Sequence, residues 1–97
     1  MPTLEIRNPA SLTIISKVWL DKNPDKREDF ARFHDLRADL PLDQVFKNQV
    51  AVSGVIKDPI HIVKVGDYEI VTDGRQRARA AVALVITSVP VIVEVDS

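Results

Sequence analysis

The chain opens with a short alternation of apolar and polar residues. Within Thr3–Arg7, Leu4 and Ile6 alternate with polar neighbours, a pattern that predicts a strand ended by Pro9. The next apolar stretch, Leu12–Leu20, is rich in β-branched residues and favours a strand, although one helical turn also fits it. The start of the chain therefore predicts one strand and one segment whose assignment stays open.

Helical spacing of apolar residues follows. Asn23 and Pro24 suit an N-cap and a first helical position, so we expect a helix from there to about Ala38, before Pro41. Its apolar face comprises Phe30, Phe33 and Leu36. A second helix is predicted up to a capping Gly54. Its face comprises Leu42, Val45, Phe46, Gln49 and Val50.

The second half of the chain predicts a hairpin, a helix and a last strand. A glycine at the first central position of the Gly66-Asp67 turn suits a type II′ hairpin. The predicted elements are strands at Pro59–Val65 and Tyr68–Val71, a turn at Asp73-Gly74, a helix from Arg75 to about Val85, and a strand at Val89–Val95. This order indicates one domain over residues 1–97, of the α+β or α/β class, with a small mixed sheet and helices packed on it.

Composition excludes several function classes. Thirteen basic and fourteen acidic residues give a net charge of −1, which argues against a generally basic nucleic-acid binder but leaves room for a local basic patch. Because the chain has no cysteine, disulfide frameworks, zinc–cysteine sites and thiol chemistry are excluded. The longest apolar run, Ala80–Ile86, is far shorter than the ~20 residues that span a bilayer. We expect a cytoplasmic protein without a membrane partner or a metal site built from its own side chains.

Three arginines stand where an empty helix would not favour them. Arg75, Arg77 and Arg79 occupy the first turns of the helix that follows Asp73-Gly74. A helix N-terminus carries partial positive charge and free N–H groups, so cations there are unfavourable unless an anion is present. A strand, a glycine turn and a helix start that also carries arginines together indicate a phosphate site.

A purely structural role for these arginines is the alternative. The segment from Asp25 to Asp39 carries five carboxylates that could pair with them. Asp73 could cap the helix and offset part of the charge. Helical spacing also sends Arg77 to a different flank from Arg75 and Arg79, so the three cannot serve one group of ligand atoms equally. Composition and spacing are compatible with both a phosphate site and a purely structural role for these arginines.

Residues 54–95 resemble the N-terminal domain of ParB partition proteins, within the ParB/sulfiredoxin superfamily. That family carries a Gly-Glu-Arg-Arg-x-Arg-Ala box at the start of a helix, and here the box is Gly74-Arg-Gln-Arg-Ala-Arg-Ala80. Four positions match in register: Gly74, Arg77, Arg79 and Ala80. Asn23-Pro24 with Arg27 resembles an upstream Asn-Pro…Arg element, so the resemblance extends over about residues 18–95. It implies a compact α+β fold of the ParB/sulfiredoxin type.

The departures from the family pattern also carry information. Arg75 replaces the glutamate of the box and Gln76 replaces its first arginine, which is similar to the Asp-Gly-x-x-Arg form of other branches. The sulfiredoxin signature Gly-Cys-His-Arg would place cysteine at Arg75, so sulfiredoxin activity is excluded. Partition proteins continue with a helix-turn-helix domain and a dimerisation domain, and we expect neither in these 97 residues.

The resemblance implies a nucleotide triphosphate as ligand, CTP or ATP with Mg²⁺. On this basis Gly74 allows close backbone approach, Arg77 holds phosphate oxygens, and Arg79 supports the site or contacts a second phosphate. Further candidates for phosphate contact are Arg75, Gln76 and Arg27. The first hypothesis is a ParB-like module of DNA partition or of phage or plasmid DNA metabolism. Its nucleotide would switch its association with itself as a homodimer, or with DNA or a DNA-bound protein.

Two other functions stay open. One is a ParB-like nuclease, or a nucleotide hydrolase or phosphotransferase. That chemistry needs a base or a metal-binding carboxylate beside the phosphate, for which Asp73 is the candidate and Asp58 and Asp67 are more distant ones. The other is an adaptor that has lost nucleotide binding and uses the arginine patch for an acidic protein surface or DNA phosphates.

Overall fold

The computed structural model of this chain describes residues 2–54 and 56–95. Its sheet has four strands, namely β1 (Thr3–Arg7), β2 (Ile60–Val65), β3 (Tyr68–Asp73) and β4 (Val89–Val95), in the order β1-β4-β2-β3. β4 runs parallel to β2 and antiparallel to β1, while β2 and β3 form the antiparallel hairpin. The mixed sheet and all four predicted strands are therefore confirmed.

The α-helices are short. They are α1 (Lys17–Lys22), α2 (Arg27–Phe30), α3 (Gln44–Ser53) and α4 (Arg75–Ala83), with single 3₁₀ turns at Pro9–Ser11, Pro24–Lys26, Ala31–Phe33 and Leu36–Asp39. α3 and α4 confirm two predicted helices, and Gly54 ends α3 with the expected positive φ of 73°. The open segment Leu12–Leu20 contributes the start of α1, and within it Thr13 alone forms a β-bridge, to Ile70.

The predicted continuous helix from Asn23 to Ala38 is wrong. Asn23 and Pro24 do begin a helical turn as expected, but it is the single 3₁₀ turn Pro24–Lys26, and Asn23 also ends α1, where its side-chain amide donates to the carbonyl of Trp19 at 2.8 Å. Phe30 is buried and stacks on Trp19 with ring centroids 5.4 Å apart, whereas Leu36 is 78% exposed. The apolar spacing thus marks an aromatic cluster, around which the backbone turns repeatedly in short segments.

The sheet packs on both faces. One face carries the larger core, in which α3 and α4 cover the strands through residues that include Val50, Ala78, Ala80, Ala81, Ile60, Ile62, Val71, Val89 and Val91. The other face carries a smaller cluster of Ile15, Leu20, Phe30 and Ile70, with Trp19, Phe33, Val63, Val65 and Tyr68 around it. Gly74 alone separates the end of β3 from the start of α4, so the first turn of α4 lies close to the end of β3. No helix of the described ranges is long and apolar enough to cross a membrane.

The C-terminus of α4 contains a strained residue. Val85 has a φ of +57°, and it is the one non-glycine residue of the described chain with a positive φ. The amide of Ile86 donates to the carbonyl of Ala81 at 2.9 Å and that of Val85 to Val82 at 3.1 Å, which is the Schellman pattern. That motif favours glycine at the position of Val85, since a β-branched side chain is unfavourable at this φ.

We expect Val85→Gly to stabilise the fold by about 1 kcal/mol, because relief of the left-handed strain exceeds the added entropy of the unfolded chain. Val85 is 80% exposed, so little buried surface is lost. The matched control is Val52→Gly on α3, a residue 90% exposed. That change should destabilise by about 0.3–0.5 kcal/mol, because glycine is less favourable than valine inside a helix. Urea unfolding of both variants measures the two signs, and a loss of stability in Val85→Gly would contradict the prediction.

Candidate phosphate-binding cleft

The cleft is built at the junction of β3 and α4. Gly74 joins them with a φ of 91°, and among the residues that the structure describes no side chain caps the first turn of α4. A Cβ atom at Gly74 would lie 2.8 Å from Nη2 of Arg77. Glycine therefore serves two purposes here, because it adopts the left-handed turn and leaves room for a guanidinium against the backbone.

A cleft of about 170 Å³ opens at this turn. Its lining comprises Asp73, Gly74, Arg75, Gln76, Arg77 and Arg37. The first five are candidates from the sequence, so the structure brings most of that set together. Arg37 is a residue that the sequence analysis missed. It comes from the turn Leu36–Asp39, and the expected continuous helix gave no reason to place it beside α4.

Arg75 is the most buried of the three arginines that line the cleft, with 11% of its side chain exposed. Its guanidinium donates to the carbonyls of Thr72 at 3.0 Å and Phe33 at 3.4 Å. Asp35 is its nearest carboxylate partner, at 3.8 Å. Arg75 therefore pairs with an acid of the Asp25–Asp39 segment through one long contact, to Asp35. Its shorter contacts are to carbonyl oxygens.

Arg77 lies on the other flank, as its spacing predicts. Its Nη2 donates to the carbonyl of Pro59 at 3.1 Å and lies 3.7 Å from Asp73. The Nε atoms of Arg75 and Arg77 are both buried and have no hydrogen-bond partner among the described residues. A guanidinium has five N–H donors, so both side chains retain unused hydrogen-bonding capacity next to the cleft.

Arg79 and Gln76 hold the neighbouring loop. Arg79 donates to the carbonyl of Leu40 at 2.5 Å and lies outside the cleft lining. The side-chain oxygen of Gln76 accepts from the amide of Asp43 at 3.1 Å. These contacts fix the segment between Phe33 and Asp43 against the first turns of α4. Arg79 therefore holds the loop beside the cleft, and its role in phosphate binding stays a prediction.

Arg27 is not brought to the cleft. Its guanidinium pairs with Asp21 at 2.5 Å, and both side chains are about half exposed. Its assignment as a phosphate ligand has no geometric support, because the residues that line the cleft do not include it. The upstream Asn-Pro…Arg element resembles the family in sequence but contributes to the surface of the aromatic cluster instead.

The carboxylates near the cleft are few and dispersed. Asp73 is 69% exposed and faces Arg77. Asp58 lines an adjoining cleft of about 220 Å³ that shares Arg77, while Asp67 lies in the hairpin turn at the opposite end of β3. Across the described ranges no three His, Cys, Asp or Glu residues are grouped so as to hold a metal. Mg²⁺ often binds through one or two carboxylates plus substrate phosphates, so Asp73 is the residue that could contact an ion carried by a nucleotide.

Two carboxylates hold the segment that carries Arg37. The amide of Arg37 lowers the pKa of Asp35 below its ordinary value of 3.8, with the charge of Arg75 adding to the effect. The amide of Lys17 and then His34 lower the pKa of Asp39. A carboxyl group whose pKa is lowered in the folded state stabilises the fold at pH values above its ordinary pKa. That stabilisation is lost as the pH falls through the pKa of the folded state.

We therefore expect the segment 34–40 to lose protection before the sheet does as the pH falls from about 5. Hydrogen exchange of its amides, read by mass spectrometry after pulses at each pH, measures this order. Asp39→Asn should remove part of the difference, because it removes the carboxylate that accepts from the amide of Lys17 at 2.7 Å and lies 2.6 Å from Nε2 of His34. Equal pH dependence of the segment and the sheet would contradict the expectation.

No protein-family model matches the chain, and no curated protein matches it in sequence. Its fold is nevertheless similar to solved structures. Sulfiredoxin from Arabidopsis thaliana superposes with a TM-score of 0.56 at 14% identity, over 98% of this chain and 88% of the sulfiredoxin. A conserved hypothetical protein from Pyrococcus furiosus gives a TM-score of 0.57 at 14% identity, over 93% of this chain and 31% of that protein. At such identity the likeness shows the fold alone, and it confirms the predicted one: an α+β fold of the ParB/sulfiredoxin type.

Proposed function

We propose that this protein binds a nucleoside triphosphate, CTP or ATP with Mg²⁺, through its phosphates at the start of α4. One observation carries the proposal. The uncapped N-terminus of α4, the left-handed Gly74 and the side chains of Arg37, Arg75 and Arg77 surround one cleft. Backbone N–H groups and guanidinium groups directed at a common space are the donors that phosphate oxygens accept from.

The cleft has the size for phosphates and not for a whole nucleotide. Its 170 Å³ is below the ~300–1,000 Å³ of sites that enclose small molecules. The nucleoside would therefore lie outside it, and base selectivity would come from other residues. This separation also agrees with the charge distribution, since the arginines converge at the glycine turn.

The electrostatic balance supports an anionic ligand. Among the described residues, the carboxylates near the cleft are those of Asp73, which lines it, and Asp35, which lies 3.8 Å from Arg75 and 3.9 Å from Arg37. The three arginines of the lining exceed these two carboxylates by one positive charge. They also add positive charge to the end of the helix where the peptide dipoles are already positive. A phosphate group would relieve this repulsion and accept from the backbone N–H groups of the first turn of α4 and from the arginine side chains that line the cleft.

The family resemblance of the sequence supports the biological process that we propose. The module would act in DNA partition or in phage or plasmid DNA metabolism, with the nucleotide and DNA or a DNA-bound protein as partners. The sulfiredoxin-like fold does not bring sulfiredoxin chemistry with it, because the chain has no cysteine. A nucleotide hydrolysis step would have to use Asp73, whose carboxylate is largely exposed.

Calorimetric titration with CTP and with ATP, each with Mg²⁺, tests the proposal. Tripolyphosphate is added as a competitor, because phosphate recognition predicts that it displaces the nucleotide. Saturable binding of one nucleotide that tripolyphosphate competes would support the site and identify the base. Absence of heat with both nucleotides and with tripolyphosphate would overturn it, and the adaptor function would then be preferred. Release of inorganic phosphate, measured in the same samples, reports any hydrolysis.

A further inference from the structure

The strand β1 presents an open edge of the sheet. Within the described ranges it pairs with β4 alone, and it is the first strand in the order β1-β4-β2-β3. Its five residues, Thr3–Arg7, contain no proline, lysine or bulge; the strand is short and carries two charges, Glu5 and Arg7, but these are of opposite sign and therefore do not repel a strand of complementary charge. The backbone stays extended at Asn8, with φ −77° and ψ 121°. This edge can therefore accept another strand.

Apolar side chains lie beside this edge. Leu4 and Ile6 are 66% and 62% exposed, although they belong to a strand. Their cross-strand partners on β4 are Ile92 and Pro90, which share the same face. The smaller core covers this face only over β2 and β3, around Ile70, and leaves the half over β1 and β4 open. The open edge and the open apolar strip are contiguous.

We propose that β1 pairs antiparallel with β1 of a second copy of this chain, about a twofold axis at Ile6. The register is selected by charge. It places Glu5 opposite Arg7 of the partner subunit twice, because the sequence Glu5-Ile6-Arg7 is complementary to itself when reversed. A register centred on Glu5 would instead bring two carboxylates together, which is unfavourable for directly opposed strand positions.

The existing contacts are compatible with this pairing. Within one chain Arg7 already contacts Glu5 at 2.7 Å and Glu69 at 2.9 Å, and these side chains remain partly exposed. Addition of the partner subunit gives alternating positive and negative charges across the axis on this face. On the opposite face the two Ile6 side chains meet, and the two apolar strips join across an extended sheet. The contact is isologous, so it closes at two copies.

Sedimentation equilibrium without nucleotide tests the proposal. The wild-type chain should dimerise in a concentration-dependent manner, and Ile6→Lys should raise the dissociation constant at least about tenfold, because lysine blocks strand edges. The matched control is Val52→Lys on α3, which makes the same type of change at a residue 90% exposed and should leave the dimer intact. Circular dichroism of each variant verifies the fold. A monomeric wild type, or a dimer that only Val52→Lys dissociates, would overturn the proposal.

Charge exchange tests the register. Glu5→Arg and Arg7→Glu should each weaken self-association, since each places like charges opposite one another. An equimolar mixture of the two variants should restore a dimer, with opposite charges at both positions. Failure of the mixture to associate, with both variants folded, would overturn the Ile6-centred pairing. The cleft at Gly74 takes no part in these measurements, so their outcome is independent of nucleotide binding.

Discussion

Arg77→Ala is expected to lower the affinity for nucleoside triphosphate by about 10- to 100-fold, because a hydrogen-bonded contact to a charged group contributes about 1.5–3 kcal/mol. Arg77 lies over Gly74 and lines the cleft, so its guanidinium borders the space proposed for the phosphates. The matched control is Arg27→Ala. It removes the same charge from an arginine that pairs with Asp21 away from the cleft, and affinity should not change.

Arg77→Ala also carries a structural cost, since it removes the hydrogen bond to the carbonyl of Pro59. Arg37→Ala separates binding from folding. Arg37 is 77% exposed and its nearest acidic contact, with Asp35, is 3.9 Å long, so its removal should leave the melting temperature unchanged. Its contribution to phosphate binding should be about tenfold in affinity. Calorimetry on the three variants measures these effects. Equal affinities for Arg37→Ala, Arg77→Ala and the wild type would place the phosphates elsewhere.

Gly74→Ala is expected to reduce both stability and nucleotide affinity. At a φ of 91° an L-residue is strained by about 1–2 kcal/mol. For a domain of this size, each kcal/mol of lost stability lowers the melting temperature by about 4–8 °C. The new methyl group would also meet Nη2 of Arg77 at 2.8 Å and push the guanidinium away from the cleft. Affinity should therefore fall by an amount similar to that in Arg77→Ala.

Gly54→Ala is the control that isolates the steric part. Gly54 has a φ of +73°, but a Cβ atom there would have no neighbour within 4 Å. Its substitution should therefore reproduce the strain and the loss of stability without the loss of affinity. Thermal unfolding and calorimetric titration of both variants give the comparison. If both glycine variants bind nucleotide as the wild type does, the close approach of Arg77 to Gly74 has no role in binding.

Turns and helix ends could be predicted accurately from the sequence. The hairpin turn is an example, because Gly66 alone needs the positive φ, which is 58° in the structure, and Asp67 does not adopt one. The Gly74 turn, the start of α4 at Arg75 and the cap at Gly54 are similar cases. Each of these features depends on residues within a few positions of one another, where backbone preferences and hydrogen bonds act directly.

The segment from Asn23 to Ala38 does not form the helix that its local pattern predicts. Its apolar spacing fits a helix, yet Phe30 packs against Trp19 and Tyr68, with centroids 5.4 and 5.1 Å away, and the backbone follows the ring packing. Intrinsic preference for one long helix is small compared with burial of an aromatic ring. The exposure of Leu36, and with it the position of Arg37, could not be obtained from periodicity.

The residue pattern alone predicts a small mixed sheet of the α+β or α/β class. It also predicts the glycine turn and the arginines at the start of α4, because these two features depend on neighbours along the chain. Which arginines share the cleft depends on tertiary packing. Arg75 reaches the carbonyl of Phe33 and Arg79 that of Leu40 across about forty positions of the chain. Arg37 lines the cleft because the segment between α2 and α3 packs against α4. Arg27 belongs to α2 and lies outside the cleft lining. Contacts between distant segments depend on the whole packed core, and no local pattern of residue types encodes them.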